Sequence, residues 1–166
     1  MKVLGIDPGT QVIGYGVVEP TRTRIPRLLE CGVLRTDPDV ALGARLKTIH
    51  DGITELIERH RPDVVAVEGI FYARNARTTM VLGHARGVIL LCAEQAGVTI
   101  AEYSPATVKK TVVGRGGAMK NQIGYMVQQL LRLQQPPEPA DAADGVAIAL
   151  THVLRLAPLP RAGVTG

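Results

Sequence analysis

Apolar positions near the start of the chain come in short runs. Lys2 to Ile6 stops at Asp7-Pro8-Gly9, which predicts a strand followed by a turn. Val12 to Glu19 and Arg27 to Thr36 predict two more strands, and the short connections make an antiparallel meander the natural arrangement. Gly14 and Gly16 inside the first of these mark a close backbone approach or a bulge. The period then changes. Leu42, Leu46, Ile49, Ile53, Leu56 and Ile57 repeat at helical spacing, and that helix must end before Pro62. Asp63 to Glu68 is a compact β-branched run that reads as a buried strand. Arg74 to Gly97 follows as a long helix and Val98 to Glu102 as a short strand. Strand, helix, strand, helix, strand implies parallel pairing through right-handed crossovers. A short helix over Pro105 to Val113 leads to a glycine-rich break at Gly114 to Gly117 and a helix over Met119 to Leu133. Pro136, Pro137 and Pro139 form a stiff linker into a last helix, Asp141 to Leu156. The expected fold is α/β: a five-stranded mixed sheet with an antiparallel edge and helices on both faces. One domain is expected over residues 1–156, with a disordered tail over 157–166.

Composition sharpens this picture. In 166 residues, 46% are hydrophobic and only 3% aromatic, so a single core must be aliphatic. Cys31 and Cys92 lie far apart with no metal-ligand spacing, which excludes a disulfide framework and a zinc site and suits a reducing compartment. No signal-peptide pattern opens the chain, and the longest nearly uncharged stretch, Val88 to Ala93, is too short to span a bilayer. A soluble, cytoplasmic protein is expected.

The net charge of +4 hides a segregation. Nine of the fifteen acids lie between Asp7 and Asp63. From Tyr103 to Pro137 there is no acid, only Lys109, Lys110, Arg115, Lys120 and Arg132; Gly69 to Ala93 holds Arg74, Arg77 and Arg86. Two basic segments, each beginning soon after a strand, fit either a solvated face or a surface that tracks phosphates.

The chemistry lies with the acids. Asp7 and Glu68 each close a strand, and the carboxyl ends of adjacent strands are where α/β folds place reactive groups. Asp141 and Asp144 share one face of the last helix, about 60° apart on a wheel of ~100° per residue. Helix capping is the plain alternative for that pair. Three or four carboxylates meeting at one point are tolerable when divalent cations neutralise them, and all-oxygen ligands select Mg²⁺ or Mn²⁺. Two such ions ~3.5–4 Å apart serve in-line phosphodiester hydrolysis, one activating water and the other stabilising the leaving 3′ oxygen. His152 lies ~12 Å along the axis from Asp144 and is not expected to be a ligand. His50, His60 and His84 read as helix-surface residues.

Four segments, GIDPGTQVIGYGVVE, VAVEGIFYARNARTTMVLGHARGV, VKKTVVGRGGAMKNQI and DAADGVAIALTH, resemble in order and spacing the RuvC family of Holliday junction resolvases. The likeness covers Met1 to Leu156. It implies an RNase H-like fold, a homodimer, and Mg²⁺-dependent paired, symmetric cutting of four-way DNA junctions in recombination and repair, leaving 5′-phosphate and 3′-hydroxyl nicks. Cooperation with the RuvA and RuvB branch-migration proteins is implied likewise. On this resemblance Asp7, Glu68, Asp141 and Asp144 are the catalytic, metal-holding carboxylates, and Lys109 and Lys120 contact DNA. Phe71 would disrupt base pairing at the crossover, with Tyr72 beside it, although ordinary packing is an alternative for Phe71. Arg74, Lys110 and Arg115 complete the expected DNA-binding set. Gly69, Ile70 and Gly145 stand as ordinary variation within the pattern. The apolar residues Met80, Val81, Leu82, Val88, Ile89, Leu90 and Leu91 make the long helix the expected dimer interface, with burial in the core as its rival. An RNase H-like nuclease for structured RNA, an actin-like ATPase fragment and a non-catalytic DNA-binding module are the competing readings.

Overall fold

Among the described residues, five strands and five helices follow one another as β1 (Val3–Asp7), β2 (Val12–Glu19), β3 (Arg27–Arg35), α1 (Leu42–His60), β4 (Val64–Glu68), α2 (Ala76–Gln95), β5 (Thr99–Tyr103), α3 (Pro105–Val113), α4 (Lys120–Leu131) and α5 (Ala140–Leu156). These come from a computed structural model of the chain that describes residues 1–23, 25–69, 76–114 and 120–156, without the side chains of residues 77, 120 and 121. The sheet order is β3-β2-β1-β4-β5. β1, β2 and β3 pair antiparallel, whereas β4 pairs parallel to both β1 and β5. The expected mixed sheet with an antiparallel edge is present.

Strand periodicity divides the core into two layers. Val3, Val18, Val64 and Ala66 pack on one side against α3, α4 and α5. Leu4, Ile6, Ile13, Val17, Val65 and Val67 pack on the other against α1 and α2. Period-two alternation therefore turns Asp7, in phase with Val3, and Glu68, in phase with Ala66, toward α5.

Helix ends have local causes: α1 stops before Pro62 as expected, whereas α4 stops two residues short of the expected Leu133. α1 runs on to His60 and stops at Arg61, whose left-handed backbone (φ 47°) donates its N–H back to the Ile57 carbonyl just before Pro62. α4 ends at Leu131 because Arg132 takes φ 53°. The helical wheel of α5 suggests a one-sided helix, yet residues 145–153 are buried throughout. α5 is the central helix of its layer, covered by the sheet on one side and by α3 and α4 on the other.

The tightest packing lies between α5 and the sheet. A Cβ on Gly14 would sit 1.8 Å from the Asp141 carbonyl oxygen, and one on Gly16 would sit 2.4 Å from a Val146 methyl. The close backbone approach expected at these glycines is thus observed; the irregularity in β2 falls elsewhere, between Val17 and Val18. Gly145 answers from the helix: its Cβ would lie 2.5 Å from the Tyr15 Cα. Its reading as ordinary variation is therefore corrected, because only a residue without a side chain fits between the α5 and β2 backbones.

Candidate metal centre and active site

Three of the four predicted carboxylates meet. Asp7, Asp141 and Asp144 each present an oxygen within 4.8 Å of the others, and all three are half-buried. Each position has a local cause. Asp7 ends β1 opposite Gly14, and the missing side chain of Gly14 admits the first turn of α5. The next turn of α5 then carries Asp144 to the same spot. Because α5 begins at Ala140, Asp141 is the second helical residue. Its charge also complements the helix dipole, as the capping alternative expected.

Glu68 is not in that trio. β1 and β4 are in register as far as Ile6 and Val67, so Asp7 and Glu68 are the next residues on adjacent parallel strands. Glu68 is half-buried and pairs in register with Tyr103 of β5, at the same end of the sheet as the aspartates.

The loop after Asp7 is braced by residues that no sequence pattern singles out. The Thr36 hydroxyl donates to the Thr10 carbonyl at 3.1 Å, and the Thr36 N–H donates to the Gln11 carbonyl at 2.9 Å. Arg45 donates from Nε to the Thr36 hydroxyl at 3.3 Å and from its guanidinium end to the Thr10 carbonyl. A strand-ending Thr and a helix-surface Arg carry no pattern by themselves; their role appears only when β3 and α1 converge on the loop.

The expected DNA-binding residues divide. Lys109 and Lys110 ride on α3, whose start is fixed by Ser104, the side chain of which accepts the Thr107 N–H at 3.1 Å. Val108 and Val112 turn inward, leaving Lys109 half-buried and Lys110 exposed. Lys109 lies five residues past Ser104, ~7 Å along the helix from the sheet end that carries Glu68. Neither lysine makes an ion pair among the described residues. Phe71, Tyr72, Arg74 and Arg115 lie outside the described residues, as do Ile70, most of the glycine-rich break and the tail from residue 157; the side chains of Arg77 and Lys120 are not described either. Arg86 departs from the phosphate-tracking reading. Its guanidinium is spent on Glu102 of β5, to which it donates in an ion pair.

The histidines and cysteines lie outside the acidic cluster. His152 is buried, 9% exposed, and its Nδ1 and the Tyr103 hydroxyl share a hydrogen bond at 2.8 Å. Burial holds His152 below the usual imidazole range and pushes the Tyr103 phenol up, which favours the neutral form of both partners. His152 is not part of the acidic cluster. His50 and His84 are on helix surfaces as expected. His60 is a correction: it is only 13% exposed and its Nε2 lies 2.8 Å from Glu30 Oε2. Glu30 also accepts from Tyr15 at 2.9 Å and from Arg59 at 2.6 Å. Burial alone would raise Glu30, but the hydrogen bonds from Tyr15 and His60 and the charge of Arg59 hold it below the usual carboxylate range. The Tyr15 phenol is pushed up to about 12, first by burial and then by Glu30. Cys31 and Cys92 are free thiols, raised chiefly by burial.

α2 is split between the two readings offered for it. Ile89, Ala85 and Cys92 go into the core, while Met80 and Leu91 are 65% and 51% exposed. Among the described residues no helix is long and apolar enough to cross a membrane.

The profile of the family "Crossover junction endodeoxyribonuclease RuvC" matches residues 3–152. The chain is 49% identical over 162 residues to the crossover junction endodeoxyribonuclease RuvC of Halorhodospira halophila, covering 97% of this chain and 95% of that protein. It is 46% identical over 153 residues to that of Desulforamulus reducens, covering 92% and 93%. Among solved structures, Thermus thermophilus RuvC in complex with a Holliday junction substrate superposes with a TM-score of 0.85 at 36% identity, over 94% of this chain and 95% of that one. The yeast mitochondrial resolvase Ydc2, at 17% identity and a TM-score of 0.66, shares the fold. The sheet order, the acid-bearing strand ends and these matches agree: the chain has an RNase H-like fold and belongs to the RuvC family of crossover junction endodeoxyribonucleases.

Proposed function

We propose that this chain resolves four-way DNA junctions by divalent-metal-dependent hydrolysis, with Asp7, Glu68, Asp141 and Asp144 holding the metal. The observation that carries the reading is the convergence of three aspartates from opposite ends of the sequence within 4.8 Å. The donor set fits the group. It is all oxygen, which suits Mg²⁺, and each of the three carboxylates presents an oxygen within 4.8 Å of the others. When bound, two such ions supply an acidified water and charge for the leaving 3′ oxygen. The protein residues hold that centre still: Gly14 and Gly145 fix the helix that carries two ligands, while Arg45 and Thr36 fix the loop behind the third. Lys109 and Lys110 offer cationic contacts to the strand beside the acids.

The junction bound by the Thermus thermophilus relative supports the choice of DNA substrate. A homodimer suits the task, since two identical sites related by a two-fold axis face two equivalent strands. Its interface is proposed on α2, where Met80, Val88 and Leu91 line an apolar groove with Gly83 and Gly87. The RuvA and RuvB branch-migration proteins are proposed as partners on family grounds. The bacterial relatives support action in the bacterial cytoplasm.

The test incubates wild type and Asp7→Asn with labelled four-way junction, linear duplex and structured RNA, with and without Mg²⁺. The expected result is junction-selective cutting that needs both Mg²⁺ and Asp7, with junction binding kept by the variant. Equal cutting of all three substrates would refute junction specificity, and Mg²⁺-independent cutting would refute the metal centre.

A further inference from the structure

A groove of about 300 Å³ opens where α4 meets the linker into α5, walled by Tyr125, Pro136 and Pro137, floored by Gly124 and Ala143, and edged by Gln128 and Glu138. Tyr125 is 58% exposed, in a chain with only four tyrosines, one phenylalanine and no tryptophan. The groove is built rather than incidental. The Gln128 side-chain amide donates to the carbonyls of Leu133 and Gln134 at 3.4 and 3.0 Å, which fastens the linker and leaves the amide oxygen as an acceptor. Pro137 is buried and anchors the wall.

Its position ties it to the acidic centre. At ~100° per residue, Ala140 and Ala143 face the groove, Gly145 faces the sheet, and Asp141 and Asp144 occupy the arc between them. A strand whose phosphate reaches the aspartates can therefore lay a neighbouring nucleotide at the mouth of the groove. An aromatic wall suits a flat base. Both polar groups at the edge, the Gln128 oxygen and the Glu138 carboxylate, are acceptors; they suit an exocyclic amino group and repel a phosphate.

Resting on the reading of the chain as a junction nuclease, we infer that this groove receives one unstacked nucleobase of the cleaved strand. Tyr125 stacks on it, and the two acceptors favour a base with an exocyclic amino group, adenine, cytosine or guanine, over thymine. The groove is then a specificity element for where the strand is cut.

Single abasic sites placed along the cleaved strand, crossed with Tyr125→Ala in single-turnover cleavage with Mg²⁺, test this. Wild type should lose about tenfold at one position near the cut. Tyr125→Ala should lose about as much on intact DNA, lose nothing more at that position, and be rescued by Tyr125→Trp. Thymine at that position should slow wild type, and Glu138→Ala should narrow the difference. Penalties that multiply at every position, or a Tyr125→Ala variant that cuts intact DNA at the wild-type rate, would overturn the inference. A wild type that cuts no junction refutes the proposed function instead, so the two failures are distinguishable.

Discussion

Gly145→Ala is the sharpest test of how the site is held. In an unhindered helix interior this change stabilises by up to ~1 kcal/mol, because Gly is a poor helix former. Here the new Cβ would meet the Cα, C and N atoms of Tyr15 at 2.5–2.6 Å, against 3.4–4 Å for ordinary contact. About 0.9 Å must therefore be found, and all three atoms are strand backbone with no rotamer to yield. The interface has no slack elsewhere, since a Cβ on Gly5 would lie 2.3 Å from the Gly145 carbonyl oxygen. Overpacking of this kind costs ~1–3 kcal/mol, and a gap approaching 1 Å forfeits a quarter to a half of each dispersion contact along the helix. A net loss of about 2 kcal/mol is expected, or roughly 4–8 °C in Tm at this size. Asp141 and Asp144 move with the helix, and ~1 Å of misplacement is worth about a hundredfold in rate. Urea unfolding and junction cleavage with Mg²⁺ read the two effects. Gly43→Ala is the control: it lies exposed in the first turn of α1 with nothing within 4 Å of its Cβ position, and should hold or gain stability. A Gly145→Ala variant as stable and as active as wild type would refute the reasoning.

Glu68→Gln keeps the shape and removes the charge; cleavage should fall between tenfold and about a hundredfold while junction binding stays within a few-fold, and unchanged cleavage would confine the centre to the three aspartates. His152 is held neutral, so the unfolded chain binds the extra proton first: stability should be whole above about pH 6.5 and decline as pH falls below it, and His152→Gln, which can still hydrogen-bond to Tyr103, should flatten that slope in urea titrations from pH 7 to 5. Met80→Asp puts a charge into the exposed groove of α2 and should turn a sedimenting dimer into monomer, whereas wild type sedimenting only as monomer at micromolar concentration would remove the proposed interface. Mg²⁺ should raise Tm in wild type, and Asp7→Asn should raise the metal-free Tm while shrinking the Mg²⁺ effect, because one repelling charge has gone.

Much of this was legible in the sequence because it follows from short-range periodicity. The run Val64 to Glu68 and the helical repeat from Leu42 to Ile57 each encode their own element, and the crossovers leave little choice of topology. Asp7 and Glu68 were legible for the same reason: each ends an apolar run, and strand ends lie at one edge of a parallel pair. What the sequence conceals is contact between elements. Gly145 looks like a tolerated substitution in a helix until β2 is laid against it. His60 looks like a surface residue until Glu30 arrives from β3, thirty positions away. Arg86 counts as free positive charge until Glu102 pairs with it.

The same distinction explains why the acids can meet at all. Two unit charges 4.8 Å apart repel by about 3 kcal/mol at an effective dielectric of 20, so no local preference would gather three of them. The gathering is imposed from outside the cluster, by strand phase at Asp7 and by glycine contacts that let α5 approach β1 and β2 more closely than any residue with a side chain would allow. Most of that interface is uncharged and lies below the site, where Gly5, Gly16, Gly145, Val146 and Ala149 interlock. The charge arrangement is therefore held by the apolar packing beneath it. A divalent cation lowers its energy without moving the backbone, which is the condition under which a fold both favours a metal and keeps its ligands in place for phosphodiester chemistry.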